Sequence, residues 1–181
     1  MRNIFVTADT HFNHINILKY CNRPFETIEE MNETIIKNWN ETVSNNDLVY
    51  HLGDFMMGLS IRNHEASFVK FKELVSRLRG KIRLITGNHD KALIKLCNMK
   101  NECPFEVIKS RDFVRCQGRK IVMEHRPTNT DFLLHGHSHG NVKAKGFIRL
   151  DIGVDCWDYA PISLEEAVSK LKVLEHKKHY H

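Results

Sequence analysis

The chain has 181 residues, 41% hydrophobic and 27% charged, the balance of one globular domain with a sizeable core and little room for a second. No apolar run approaches the roughly 20 residues that span a bilayer, and Met1-Arg2 leads into a short strand without a signal-peptide core, which points to a cytoplasmic protein with no membrane partner. A formal charge of +5 and a pI of about 9.0 permit attraction to nucleic acid or other phosphate compounds without establishing it.

In chain order, the first strand is expected over Asn3–Ala8, followed by a short helical segment at Ile15–Tyr20. Thr27-Ile28-Glu29-Glu30 reads as a capping box, with Thr27 as N-cap and Glu30 at N3. Met31, Ile35, Trp39 and Val43 then recur at helical spacing. Leu48–Leu52 is a second strand. His64–Leu78 is a helix with an apolar stripe at Phe68, Phe71, Leu74, Val75 and Leu78, ended by Gly80. Ile82–Thr86 is a third strand and Ala92–Met99 a third long helix. Beyond Phe105 short strands dominate: Phe113–Gln117 and Lys120–His125 flank a hairpin candidate at Gly118-Arg119, and Phe132–His135 and Gly146–Gly153 follow. A last helix starts near Ser163 and carries Leu164, Ala167, Val168 and Leu171. The domain is expected to span residues 1–174, with 175–181 as a basic, disordered C-terminal tail. Five scattered cysteines without a C-x-x-C pair are expected to be reduced thiols.

Five groups of chemistry-bearing residues fall where apolar, β-rich runs end. They are Asp9-Thr10-His11, Gly53-Asp54, Gly87-Asn88-His89-Asp90, His125 and Gly136-His137-Ser138-His139. Strand ends that converge on one sheet edge are where an α/β protein places its chemistry. Two divalent ions are well held by a bridging carboxylate with His, Asp and Asn in the other positions. On an extended strand end, Asp9 and His11 would project to the same side, and the same alternation would serve His137 and His139. Gly53, Gly87 and Gly136 precede ligands where a turn needs relaxed torsions or close approach to an ion.

In this order the groups resemble the calcineurin-like metallophosphoesterase superfamily, whose pattern is D-x-H, G-D, G-N-H-(D/E), H and G-H-x-H. The stretches Asp9–His14, Asn22–Phe25, Trp39-Asn40, Val49–Phe55 and Asp151–Pro161 resemble a small bacterial and phage branch of it. The resemblance implies an α/β four-layer αββα sandwich of two mixed sheets flanked by helices, which periodicity alone does not separate from a doubly wound sheet. It implies Asp9, His11 and His139 on a first metal, Asn88, His125 and His137 on a second, and Asp54 bridging them. It also implies a bridging hydroxide as nucleophile, His89 as general acid and Asp90 holding the His89 ring. The oxygen and nitrogen ligands suit Mn²⁺ first, with Fe²⁺, Ni²⁺, Zn²⁺ or Co²⁺ as alternatives.

Arg23 and Arg126 are candidates to grip a substrate phosphate as bidentate donors, with structural ion pairs as the alternative. Many relatives carry Tyr before the proline that follows the lone ligand histidine, where this chain has Arg126-Pro127. His14, His51 and His135 are expected as packing residues or partners of ligands. Trp157 and Tyr159 are expected to pack the core or a subunit contact. The expected activity is hydrolysis of phosphodiester, and possibly monoester, bonds of a small nucleotide-like substrate. The alternatives are a DNA or RNA nuclease, or a non-catalytic scaffold of the same fold, against which the intact Gly-Asn-His-Asp speaks.

Overall fold

The first apolar run forms β1 (Ile4–Thr7) in a computed structural model that describes residues 2–141 and 146–179. β1 pairs in parallel with β2 (Leu48–His51), β2 with β3 (Lys81–Ile85), and β3 with β4 (Val107–Lys109). On the other side of β1 lies the antiparallel β9 (Ile162–Ser163), so the order is β4-β3-β2-β1-β9. The second sheet has the order β5-β6-β7-β8: β5 (Arg111–Cys116) runs antiparallel to β6 (Arg119–Glu124), while β7 (Leu133–His135) and β8 (Arg149–Asp151) continue in parallel. The result is two mixed sheets flanked by helices, as expected from the resemblance.

Side-chain alternation explains why both faces of the first sheet are covered. Val6, Ala8, Leu48, Tyr50, Leu52 and Ile85 join Ile121, Met123 and Leu134 of the second sheet in one core. Val49, Ile82 and Leu84 point the other way, into a second core built with the helices. That core takes Met31, Ile35 and Trp39 from α2 (Ile28–Thr42), Phe68, Phe71 and Leu74 from α3 (His64–Ser76), and Leu93 and Leu96 from α4 (Lys91–Lys100). The short helix α1 (Ile17–Tyr20) contributes Ile17. Thr27 caps α2 by accepting from Glu30 N–H at 3.1 Å, but the Glu30 carboxylate reaches back to Glu26 N–H at 2.8 Å, one residue earlier than the expected box.

Three expectations need correction. The β5–β6 turn is Gln117-Gly118, one residue earlier than Gly118-Arg119, because Cys116 pairs with Arg119. Both turn residues have positive φ, 48° and 78°, as a two-residue turn with the twist of the strands requires. β4 and β9 were not foreseen; at three and two residues they show no period. The C-terminal segment is not a loose tail: α5 runs Leu164–His179, with the Ser163 hydroxyl accepting from Glu166 N–H at 3.1 Å near its start. Near the far end, Glu175 pairs with Arg119 at 2.8 Å and Lys178 with Asp131 at 3.1 Å. Tyr180 and His181 lie outside the described residues.

Candidate metal centre

The five motifs meet at one edge where both sheets end, and backbone bonds stitch their loops together. Asp9 N–H donates to Gly53 O, His11 N–H to Asp54 O, and Gly136 N–H to His125 O, each at 3.0 Å. The expected extended strand end is not what aims the ligands. β1 stops at Thr7, and Asp9, His11, Asp54, His137 and His139 all take left-handed backbone, with φ of 57°, 50°, 57°, 67° and 46°. Non-glycine residues held there carry strain that the surrounding structure must support. The glycine expectation holds as close approach: a Cβ on Gly87 would lie 2.3 Å from Asp54 Oδ1, and one on Gly136 2.6 Å from Asp9 Oδ2.

Two clusters fall among the expected ligands, and a third group, Cys21, His139 and Asp155, shares His139 with the first. The ligand atoms of Asp9, His11 and His139 lie within 4.8 Å of one another, as do those of Asp54, His125 and His137. Asp54 sits between them: its Oδ2 is 3.6 Å from His11 Nε2 and 3.4 Å from His125 Nε2. Asn88 Oδ1 joins the second cluster at 3.0 Å from His125 Nε2. His125 Nδ1 donates to Leu52 O at 2.8 Å, which turns Nε2 toward the carboxylates.

The residues fit divalent cations on independent grounds. Asp9 Oδ1 and His11 Nε2 are buried and have no hydrogen-bond partner among the described residues, a costly arrangement unless something else bonds them. Burial pushes the Asp9 carboxyl up to about 7, against the nearby His139 and His125 rings, and pushes His11 down to about 2. His11 is thus a neutral donor, the form a metal binds. Burial alone would also raise Asp54, but hydrogen bonding and charge from His125 outweigh it and hold the carboxylate ionised.

Asp155 was not singled out in the sequence. It sits 2.7 Å from His139 Nδ1, leaving Nε2 as the free ring nitrogen. Burial opposes protonation of His139, but hydrogen bonds with Asp155 and Cys21 push it up to about 10. Asp155 is drawn down to about 2 by its bonds to His139 and Arg23, against its own burial. Arg23 is therefore not a substrate-binding residue. It is buried, pairs with both Asp155 oxygens at 2.7 and 2.8 Å, and donates to Asp9 O and Thr10 O at 2.7 and 3.0 Å. Asp151, also overlooked, accepts from Gly140 N–H and Gly153 N–H at 2.9 Å and secures the loop after the last ligand motif.

Asp90 is also placed differently from the expectation. Both its oxygens accept backbone N–H groups, from Asp54 and Phe55 at 2.9 Å and from Gly87 at 2.7 Å, so it braces two ligand loops rather than the His89 ring. His89 itself is at the rim, its side chain 40% exposed, with Nε2 4.0 Å from Asp54 Oδ2. Its backbone N–H is fixed to Asp54 Oδ1 at 2.9 Å. His14 is the partner of a candidate ligand, as expected, with Nδ1 3.3 Å from His11 Nδ1 and its ring 5.9 Å from that of His89. His51 and His135 are buried partners of Thr10 and Gly136 O. Trp157 packs on the core shared by the sheets, and Tyr159 packs against Phe25 and beneath Arg23.

Two clefts open on this centre. One, of about 520 Å³, is lined by His11, His14, Tyr20, His89, His137 and His139 among others. The second, of about 310 Å³, is lined by Thr86, Ser110, Arg111, Glu124 and Arg126, and Asn88 lines both. Arg126 is exposed; its Nη1 is 3.0 Å from His137 Nε2 and its Nη2 3.4 Å from Asn88 Oδ1.

Residues 2–161 match the calcineurin-like phosphoesterase family. The chain belongs to that family. An uncharacterized protein of Methanocaldococcus jannaschii is 38% identical over 184 aligned residues, covering 95% of this chain and 93% of that one. The gene 66 protein of Mycobacterium phage L5 is 32% identical over 90 residues, which is 50% of this chain and 41% of the phage protein. In fold, the chain is similar to a protein of unknown function from Aquifex aeolicus, with a TM-score of 0.72 at 24% identity over 94% of this chain and 100% of that structure. Metal-dependent phosphoester chemistry is the family's, and in this chain the residues described above form His/Asp groups able to hold a metal ion.

Proposed function

We propose that this protein is a phosphodiesterase that uses two divalent metal ions, Mn²⁺ foremost, to hydrolyse a small nucleotide-like phosphodiester. One observation carries the reading. Asp54 Oδ2 stands between His11 and His125 at the floor of an open cleft, with the buried Asp9 Oδ1 and His11 Nε2 left for a cation. When bound, the ions supply Lewis acidity to phosphoryl oxygens and lower the pKa of water so that a nucleophile exists near neutral pH.

The chain's own residues do the rest. Asp9, His11 and His139 would hold the first ion and Asn88, His125 and His137 the second, with Asp54 placed to serve both. His89, on the cleft rim and anchored through its N–H, presents its ring to the leaving oxygen and delivers the proton. Arg126 lines the smaller cleft, reaches Asn88, which lines both, and grips a phosphoryl oxygen that is not transferred. Two clefts that share Asn88 give room for a substituent on each ester oxygen, which favours diesters over monoesters. The net charge of +5 favours a single-stranded polynucleotide as the second reading.

The test is a hydrolysis screen of Mn²⁺-loaded protein on nitrophenyl mono- and diesters, cyclic nucleotides, dinucleotides and single-stranded RNA, alongside elemental analysis. About two ions per chain and preferred turnover of small diesters are expected. A fully loaded chain that holds one ion defeats the binuclear reading. His89→Ala should keep its metals yet lose roughly 10²–10⁴-fold in turnover, with a smaller loss for nitrophenolate leaving groups, which need no proton. Equal losses for nitrophenyl and alkyl esters would remove His89 from that role.

A further inference from the structure

Away from the metal centre, two of the five cysteines face each other. Cys97 lies in the last turn of α4 and is buried in the helical core. Its Sγ is 2.9 Å from that of Cys103, and the two are free thiols. The helix end brings them together. Asn101 takes left-handed backbone (φ 48°, ψ 33°) and reverses the chain, and Glu102 N–H closes on Cys97 O at 3.2 Å. Cys103 is thereby folded back over Cys97. Lys72 holds Glu102 at 2.6 Å, and Lys100 pairs with Glu65, so the turn is tied to α3 on both sides.

The two thiols differ in access. Cys103 lines a surface cleft of about 340 Å³ with Pro104, Phe105, Glu106 and Lys81, whereas Cys97 is 4% exposed behind it. The hydrogen bond from Cys97 lowers the Cys103 thiol below its ordinary value, and the same bond raises Cys97. One sulfur is reachable and nucleophilic; the other is shielded and within bonding reach of it.

We propose that Cys97 and Cys103 form a thiol-modification site that takes low-molecular-weight disulfides, such as oxidised glutathione, and closes to an intramolecular disulfide. The Cys103 thiolate attacks one sulfur of the glutathione disulfide, forming a Cys103–glutathione mixed disulfide and releasing one glutathione thiolate, which takes up a proton. The Cys97 thiol loses its proton to solvent, its sulfur attacks Cys103 Sγ, and the second glutathione leaves as a thiolate that takes up a proton. In sum, two protein thiols are oxidised to one disulfide and one glutathione disulfide is reduced to two thiols. The sulfurs need close only from 2.9 Å to the roughly 2.04 Å of a disulfide.

The experiment is peptide mapping by mass spectrometry of the full-length protein after incubation with oxidised glutathione. The wild type should yield a peptide pair joined through Cys97 and Cys103, free of glutathione and separated again by dithiothreitol. Cys97→Ser should instead accumulate glutathione on Cys103, because nothing resolves the mixed disulfide. Cys103→Ser should leave Cys97 unmodified. A wild-type map with adducts at Cys21, Cys116 or Cys156 and no Cys97–Cys103 link overturns the proposal. Modification of Cys97 in Cys103→Ser as fast as of Cys103 in Cys97→Ser overturns the assigned order of attack.

Discussion

Asp155 illustrates how much of the centre depends on side chains outside the expected ligand motifs. It orients His139 at 2.7 Å and is itself clamped by the buried Arg23. Removing its charge should therefore loosen the first cluster before the second. Asp155→Asn is expected to lose roughly 10–100-fold in affinity for one Mn²⁺ ion, read by calorimetric titration, while the other ion binds as before. Unchanged affinity for both would mean that His139 needs no such partner. Asp90 makes a second case. Asp90→Ala leaves the N–H groups of Asp54, Phe55 and Gly87 without their acceptor, at a cost of roughly 3 kcal/mol or more. That loss should appear in thermal unfolding of metal-free protein too, which a residue acting only on the His89 ring would not produce. The seven candidate ligands that the fold brings together were legible because they sit in spaced motifs. Asp155 was not, and for Arg23 the ion pair was only one of two readings: a linear motif does not say that a guanidinium turns inward to meet a carboxylate 132 positions later.

Among the elements, the start of the β1–β2 pair hangs on one buried carboxylate. Asp47 accepts from Asn3 N–H at 3.0 Å, from Ser44 N–H at 2.9 Å and from the Ser44 hydroxyl at 2.7 Å. The Ser44 bonds lead in drawing its pKa below the ordinary 3.8, against burial. A carboxylate lowered on folding stabilises the fold fully above its unfolded pKa and loses that contribution as pH falls through the folded value. Asp47→Asn should therefore lower the melting temperature at neutral pH, and its gap from wild type should narrow below about pH 4. A gap that persists unchanged to lower pH would show that the ionised form is not what matters. Helix α2 and strands β1 to β3 were readable because they are long or strongly patterned. β4 and β9 were not, since two or three residues carry no period and exist by pairing with a neighbour that is already formed.

For the molecule as a whole, α5 ties the second sheet to the end of the chain through Arg119–Glu175 and Asp131–Lys178. Both pairs are partly exposed, so each contributes at most about 1 kcal/mol. Deleting everything after Leu174 should lower the melting temperature slightly and leave hydrolysis of a small diester unchanged, because the reacting phosphate is held elsewhere. If truncation impairs only cleavage of a long single strand, and that strand is the better substrate, the polynucleotide reading replaces the small diester. The basic composition of this segment suggested a loose tail; instead Glu175 meets Arg119 of β6 and Lys178 meets Asp131 just before β7, which composition does not reveal.

The bond from His137 N–H to Asp9 Oδ2 spans 128 positions at 2.7 Å, and its consequence concerns the order of events during synthesis. The first cluster needs Asp9 and His139 together, so it is incomplete until the chain has grown past residue 139. The five-stranded sheet likewise waits for β9 at Ile162–Ser163. Contacts of such long sequence separation form late, because the loops that link them must close first. Capture of the proposed ions is thus tied to the end of folding, and a nascent chain released early carries Asp9 and His11 without the rest of their cluster.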